Sequence, residues 1–154
     1  MENPSTLLAA VVTALKAIPQ LAAAVGGAGN IVGAELHYPE LSDWERFVQE
    51  IEPPKIAVMW TGYRTGNFGR NESIKHDFRA VLRPNGKYSD AAYYMREGVP
   101  TISGGLKFKH FNVTAGVFPP EAMQCQMRSF SPIADTFIDF MEVSFTLTER
   151  GPDV

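Results

Sequence analysis

Between Ser73 and Arg83 the residues alternate cleanly. Ile74, His76, Phe78, Ala80 and Leu82 fall on one side of an extended chain, and Lys75, Asp77, Arg79 and Arg83 on the other. A period of two places successive side chains on opposite faces of a strand. This stretch therefore predicts a strand that is half-buried, covered on one side only. Whatever else the chain forms must supply a sheet for that strand and a layer to cover its apolar face.

The rest of the sequence offers those parts. Lys55–Tyr63 alternates with Ile56, Val58 and Trp60 on one side, after Pro53-Pro54 pushes the chain into an extended form. Ile138–Glu149 alternates with Met141, Val143, Phe145 and Leu147 inward, while Leu106–Val113 and the run Met123, Cys125, Met127 give weaker strand patterns. Three helices are predicted. In the first, Asn3 caps, Pro4 suits the first turn, and Leu7, Leu8, Val11, Val12, Leu15 and Ile18 recur at helical spacing. Pro19 ends or kinks it, and Gly26-Gly27 stops the Ala-rich turn that follows. The second opens on the capping box Ser42-Asp43-Trp44-Glu45, with Trp44, Phe47, Val48 and Ile51 on one face. The third starts at Ser89, after the turn Pro84-Asn85-Gly86, and runs to Gly98. Strands pairing in sequence with helices to one side make an α+β fold. The expected architecture is a two-layer sandwich, a mostly antiparallel sheet of about four strands with helices packed on one face. No linker or repeat divides residues 1–154, and a chain of this length buries about 70% of its unfolded surface in one core.

Composition narrows the function. The net charge is −3, without the basic excess of a nucleic-acid binder. Cys125 is the only cysteine, so no intrachain disulfide forms, and the triplets Asn71-Glu72-Ser73 and Asn112-Val113-Thr114 read as chance sequons. Leu7–Val25 is apolar, but it lacks the basic residues that precede a signal peptide, and Lys16, Pro19 and Gln20 break it too early for a membrane span. No cofactor loop is present: Gly26-Gly27-Ala28-Gly29 follows a helix instead of opening one, and Val32 stands at the third glycine's place. His76 and Asp77 point to opposite faces and cannot pair as base and orienter, so His76 is assigned to the polar margin of a core face. His37 and His110 have no ligand-type neighbours at metal-site spacing. The reading is that of a non-enzyme without a metal.

Two segments carry interface-type residues. The stretch Thr61–Glu72, read as a long loop between two strands, holds Tyr63, Arg64, Phe68 and Arg70 among glycines. Aromatic and Arg side chains anchor protein interfaces because they offer large area and several donors. The second segment, Lys107-Phe108-Lys109-His110-Phe111, reads as an amphipathic edge strand whose Lys107 and Lys109 block unwanted pairing.

The stretch Gly66-Asn67-Phe68-Gly69-Arg70-Asn71-Glu72-Ser73-Ile74-Lys75-His76-Asp77-Phe78, ending in Leu82-Arg83-Pro84, resembles the tail-terminator (tail-completion) proteins of long-tailed bacteriophages. The Ala-rich opening helix ending near Ile18-Pro19, the Pro-Pro lead-in to a strand ending in Trp60, and the close Val143-Ser144-Phe145-Thr146-Leu147-Thr148-Glu149 are similar in order. The resemblance covers most of the chain. It implies a virion protein of the neck, assembled in the host bacterial cytoplasm, that forms a hexameric ring on the head-proximal end of the tail tube. There it stops growth of the tube and docks the head–tail connector or stopper protein, while DNA passes through the lumen without specific binding. It implies no binding residues position by position; the segment Tyr63–Arg70 is proposed from its own chemistry. Two alternatives stay open: another neck protein such as a head-completion adaptor, and a small-ligand-binding domain or enzyme using the polar end of the sheet near His76.

Overall fold

A computed structural model of the chain describes residues 3–34, 54–68, 71–96, 117–133 and 136–150. The predicted helix at 42–51 and the strand at Leu106–Val113 lie outside them.

Helix α1 spans Pro4–Lys16 and starts as its sequence dictates, with Asn3 Oδ1 accepting from the Ser5 N–H at 2.8 Å and Pro4 in the first turn. That bond satisfies one of the orphan donors at a helix start. Replacing Asn3 with alanine is expected to lower stability by about 1 kcal/mol, read as a lower urea midpoint with unchanged slope. Leu7, Leu8, Val11 and Leu15 face inward. Pro19 lacks the N–H that would continue the ladder, and it restarts the chain as α2, Pro19–Ala24. Gly26 closes α2 at φ 77°, a left-handed conformation that suits glycine. A 3-10 turn, Ala28–Asn30, then leads into the short strand β1, Ile31–Gly33. A Cβ on Gly33 would lie 3.3 Å from Leu8 Cγ, so the glycine lets α1 approach β1 closely.

The remaining strands are β2 (Lys55–Phe68), β3 (Asn71–Arg83), β4 (Val117–Ile133) and β5 (Thr136–Arg150), and residues 88–96 form helix α3 between β3 and β4. The sheet is five-stranded, in the order β1-β2-β3-β5-β4. β1 runs parallel to β2 and every other pair is antiparallel. The α+β class is as expected, and the alternation of Ser73–Arg83 and Ile138–Glu149 selects the inward residues correctly. Three details differ. β5 inserts between β3 and β4, so the strands do not simply pair in sequence. The weak run around Cys125 belongs to a strand of 17 residues. The stretch read as a long loop is strand up to Phe68 and again from Asn71, because Tyr63–Phe68 continues to pair with Asn71–His76.

That continuation depends on a β-bulge between Trp60 and Gly62, where one extra residue is absorbed and the pairing resumes. The bulge also changes the alternation. Trp60 and Tyr63, three apart, share a face, which disguises the strand in a reading that requires period two.

The core lies between the sheet and helices α1, α2 and α3. Leu15, Leu21, Ile31, Ile56, Phe78, Leu82 and Met95 are fully buried in it, and Phe78 stacks on Phe145 at 5.4 Å between ring centroids. The expectation that the second face is bare fails, since Ala57, Met59 and Val81 on that face are also buried.

Candidate protein–protein interface

The bulge governs what the β2–β3 ribbon presents. Tyr63 lies on the helix-side face, 51% exposed, and stacks on Trp60 with ring centroids 6.3 Å apart. The Trp60 indole N–H donates to His76 Nδ1 at 3.1 Å. His76 is 1% exposed, so it sits within the core face and not at its polar margin. The hydrogen bond from Trp60 gives the ring a polar partner inside the core face, where a wet edge was expected. A catalytic or ligand-binding role needs an accessible ring, which this packing does not offer.

Arg64 projects from the opposite face. Its Nε and Nη2 donate to Asp77 Oδ2 and Oδ1 at 3.1 and 3.0 Å, and the Thr146 hydroxyl donates to Asp77 Oδ1 at 2.9 Å. The carboxylate thus ties β2, β3 and β5 together. With Arg64 63% exposed, the ion pair contributes less than about 1 kcal/mol. Tyr63 and Arg64, adjacent in sequence, therefore cannot form one patch. Phe68 ends β2 but its side chain lies outside the described residues, as do Arg70, Lys107 and Lys109.

The second face also holds residues that the sequence did not single out. Glu142, 8% exposed, lies 2.8 Å from Arg128 Nε on β4 and 3.6 Å from Arg79 Nε on β3. Pairing of charges across three strands, β3, β5 and β4, leaves no local spacing to detect. β4 itself is exposed at every residue from Gln124 to Ser129, on both faces. Among these is Met127, 54% exposed, and Cys125. Although Cys125 is exposed, partial desolvation of its thiol raises the pKa above the ordinary value, and the charge of Arg96 opposes the rise. This favours the neutral thiol over a reactive thiolate.

Among the described residues no three His, Cys, Asp or Glu side chains cluster as metal ligands, and no helix is long and apolar enough to cross a membrane. A shallow open groove of about 360 Å³ lies between α2 and α3, lined by Gln20, Asn85, Lys87, Asp90 and Tyr94 among others. His76 is not among its lining residues. No protein-family model matches the chain, and comparison with curated protein sequences finds no match.

Proposed function

We propose that the chain is a structural virion subunit that forms a ring, hexameric by its resemblance to tail terminators, on the head-proximal end of a phage tail tube. In that position it stops polymerisation of the tube and docks the head connector. The observation that carries the reading is exposed strand on both sides of the sheet: Tyr63–Thr65 on β2, beyond the short β1, and Gln124–Ser129 on the end strand β4 are exposed on both faces. A ring is built from two different patches on each subunit, joined head to tail until the rotation closes. The segments that carry the resemblance are also adjacent in space, because Ile74–Phe78 pairs with Phe145–Glu149. The overall charge of −3 suits a lumen through which DNA slides, since phosphate is held chiefly by lysine and arginine.

The test is a capping assay. Purified protein is added to polymerising tail-tube protein, and tube lengths are measured by electron microscopy. The reading predicts that elongation stops, with one ring at a single end of each tube. Unaltered tube growth together with binding to a portal complex would reassign the chain to head completion.

A further inference from the structure

The backbone directions of the two bare strands follow from one hydrogen bond and the registers. The Ala34 N–H donates to the Val58 carbonyl at 2.8 Å, so Val58 turns its own polar groups toward β1 and Met59 turns toward β3. Directions alternate along a strand, and paired residues in an antiparallel ladder point both toward or both away from each other. Trp60 and its partner Phe78 therefore turn away from each other, which turns Asp77 and Lys75 toward β2. Arg64, opposite Lys75, faces β3, so the polar groups of Tyr63 and Thr65 point off the sheet. The same alternation carries through Phe78↔Phe145, Gln124↔Ser144 and Gln126↔Glu142 to β4. There the polar groups of Cys125 and Met127 point off the opposite end.

No described strand lies alongside β2 beyond β1, which pairs only with Ile56–Val58. Exposed edges are usually blunted by lysine or proline. Neither residue occurs in Met59–Phe68 or in Gln124–Ser129; the charged residues there, Arg64 and Arg128, are engaged by Asp77 and Glu142, and the bulge at Trp60/Gly62 lies before Tyr63–Thr65. Three large hydrophobic side chains are exposed among the described residues, and two of them, Tyr63 and Met127, stand at the middle of these edges. Both lie on the helix-side face, since Tyr63 pairs with His76 and Met127 with Met141, and His76 and Met141 are buried on that face.

We propose that subunits join by strand addition, the β2 edge around Tyr63–Thr65 of one copy pairing with the β4 edge around Cys125–Met127 of the next. This deepens the ring reading and rests on it. The directions agree: β2 and β4 run antiparallel to each other across the sheet, so a neighbour in the same orientation meets β2 with an antiparallel β4. Tyr63 and Met127 then become cross-strand neighbours on one face, an aromatic–thioether contact of the kind that stabilises sheets. The registers are also compatible with closure. Tyr63 is level with His76, whereas Met127 is level with Leu82 through Met141, six residues along β3. Each neighbour is thus displaced by about 20 Å along the strands for every four strands, about 19 Å, across them. The resulting tilt of about 45° is at the steep end of the range for closed barrels.

The experiment blocks each edge separately. Thr65→Pro removes an outward N–H while leaving the β3 ladder intact, and Met127→Pro does the same on β4. The two variants and the parent chain are sized by sedimentation velocity. The parent is expected to form rings, and each variant alone a single subunit. An equal mixture of the two variants is expected to give a species of two subunits and nothing larger, because one open β4 edge meets one open β2 edge. Tyr63→Glu and Met127→Glu, which change only exposed side chains, are expected to abolish the ring with an unchanged circular dichroism spectrum. These two decide the matter if a proline variant does not fold. Rings that persist in the glutamate variants or in a folded proline variant, or a proline variant that dimerises alone, would overturn the edge pairing and leave the ring reading standing. A parent chain that stays a single subunit at every concentration and does not cap tubes would overturn both.

Discussion

Phe78→Ala is expected to destabilise the fold by about 3–5 kcal/mol, enough to remove a large part of the 5–15 kcal/mol typical of a domain. Phe78 is 1% exposed at the middle of β3, between β2 and β5. Its ring stacks on Phe145 with an interplanar angle of 9°. Truncation removes that contact together with the transfer free energy of the ring. It also leaves a cavity that the paired strands on either side cannot collapse into without breaking ladders. Chemical denaturation should show a much lower midpoint. A loss below about 1 kcal/mol would mean that the Phe78–Phe145 contact does not organise the core.

His76→Ala is expected to cost about 2–4 kcal/mol, through the cavity and the lost acceptor for the Trp60 indole N–H. Two further substitutions separate these causes. His76→Leu fills the space but supplies no acceptor, whereas His76→Gln supplies one. If the bond to Trp60 matters, His76→Gln should be the more stable of the two. The reverse order would assign the role of His76 to packing alone. Under the proposed function, tube capping by the folded protein is expected to persist in either case, because the imidazole is enclosed in the core face.

How much of this was legible beforehand depended on where local pattern sufficed. Helix α1 was readable from Asn3, Pro4 and the spacing of Leu7, Val11 and Leu15, since cap, first turn and buried face are all encoded within a few residues. β3 and β5 were readable because their helix-side residues, His76 excepted, are apolar at strict period two. The bulge at Trp60/Gly62 defeated the same method. It shifts the alternation by one, and the segment beyond it, with Gly62, Gly66 and Gly69 among polar residues, has the composition of a loop. The order of β4 and β5 was hidden for a different reason. β4 is an edge strand, exposed on both faces at Gln124–Ser129, so its sequence records no burial from which a position could be inferred. The candidate interface shared both difficulties. Tyr63 was identified by its chemistry, but its partner edge and its separation from Arg64 required the sheet to be known. Glu142, linked to Arg79 and Arg128 across three strands, has no local signature at all.

The central claim is that this chain is a self-assembling ring subunit. The most direct test is light scattering on the purified protein across a concentration series, with negative-stain images of the same samples. The account predicts six subunit masses and six-fold rings with an open centre. A single subunit mass at every concentration, with no rings in the images and none on the ends of added tail tubes, would contradict it.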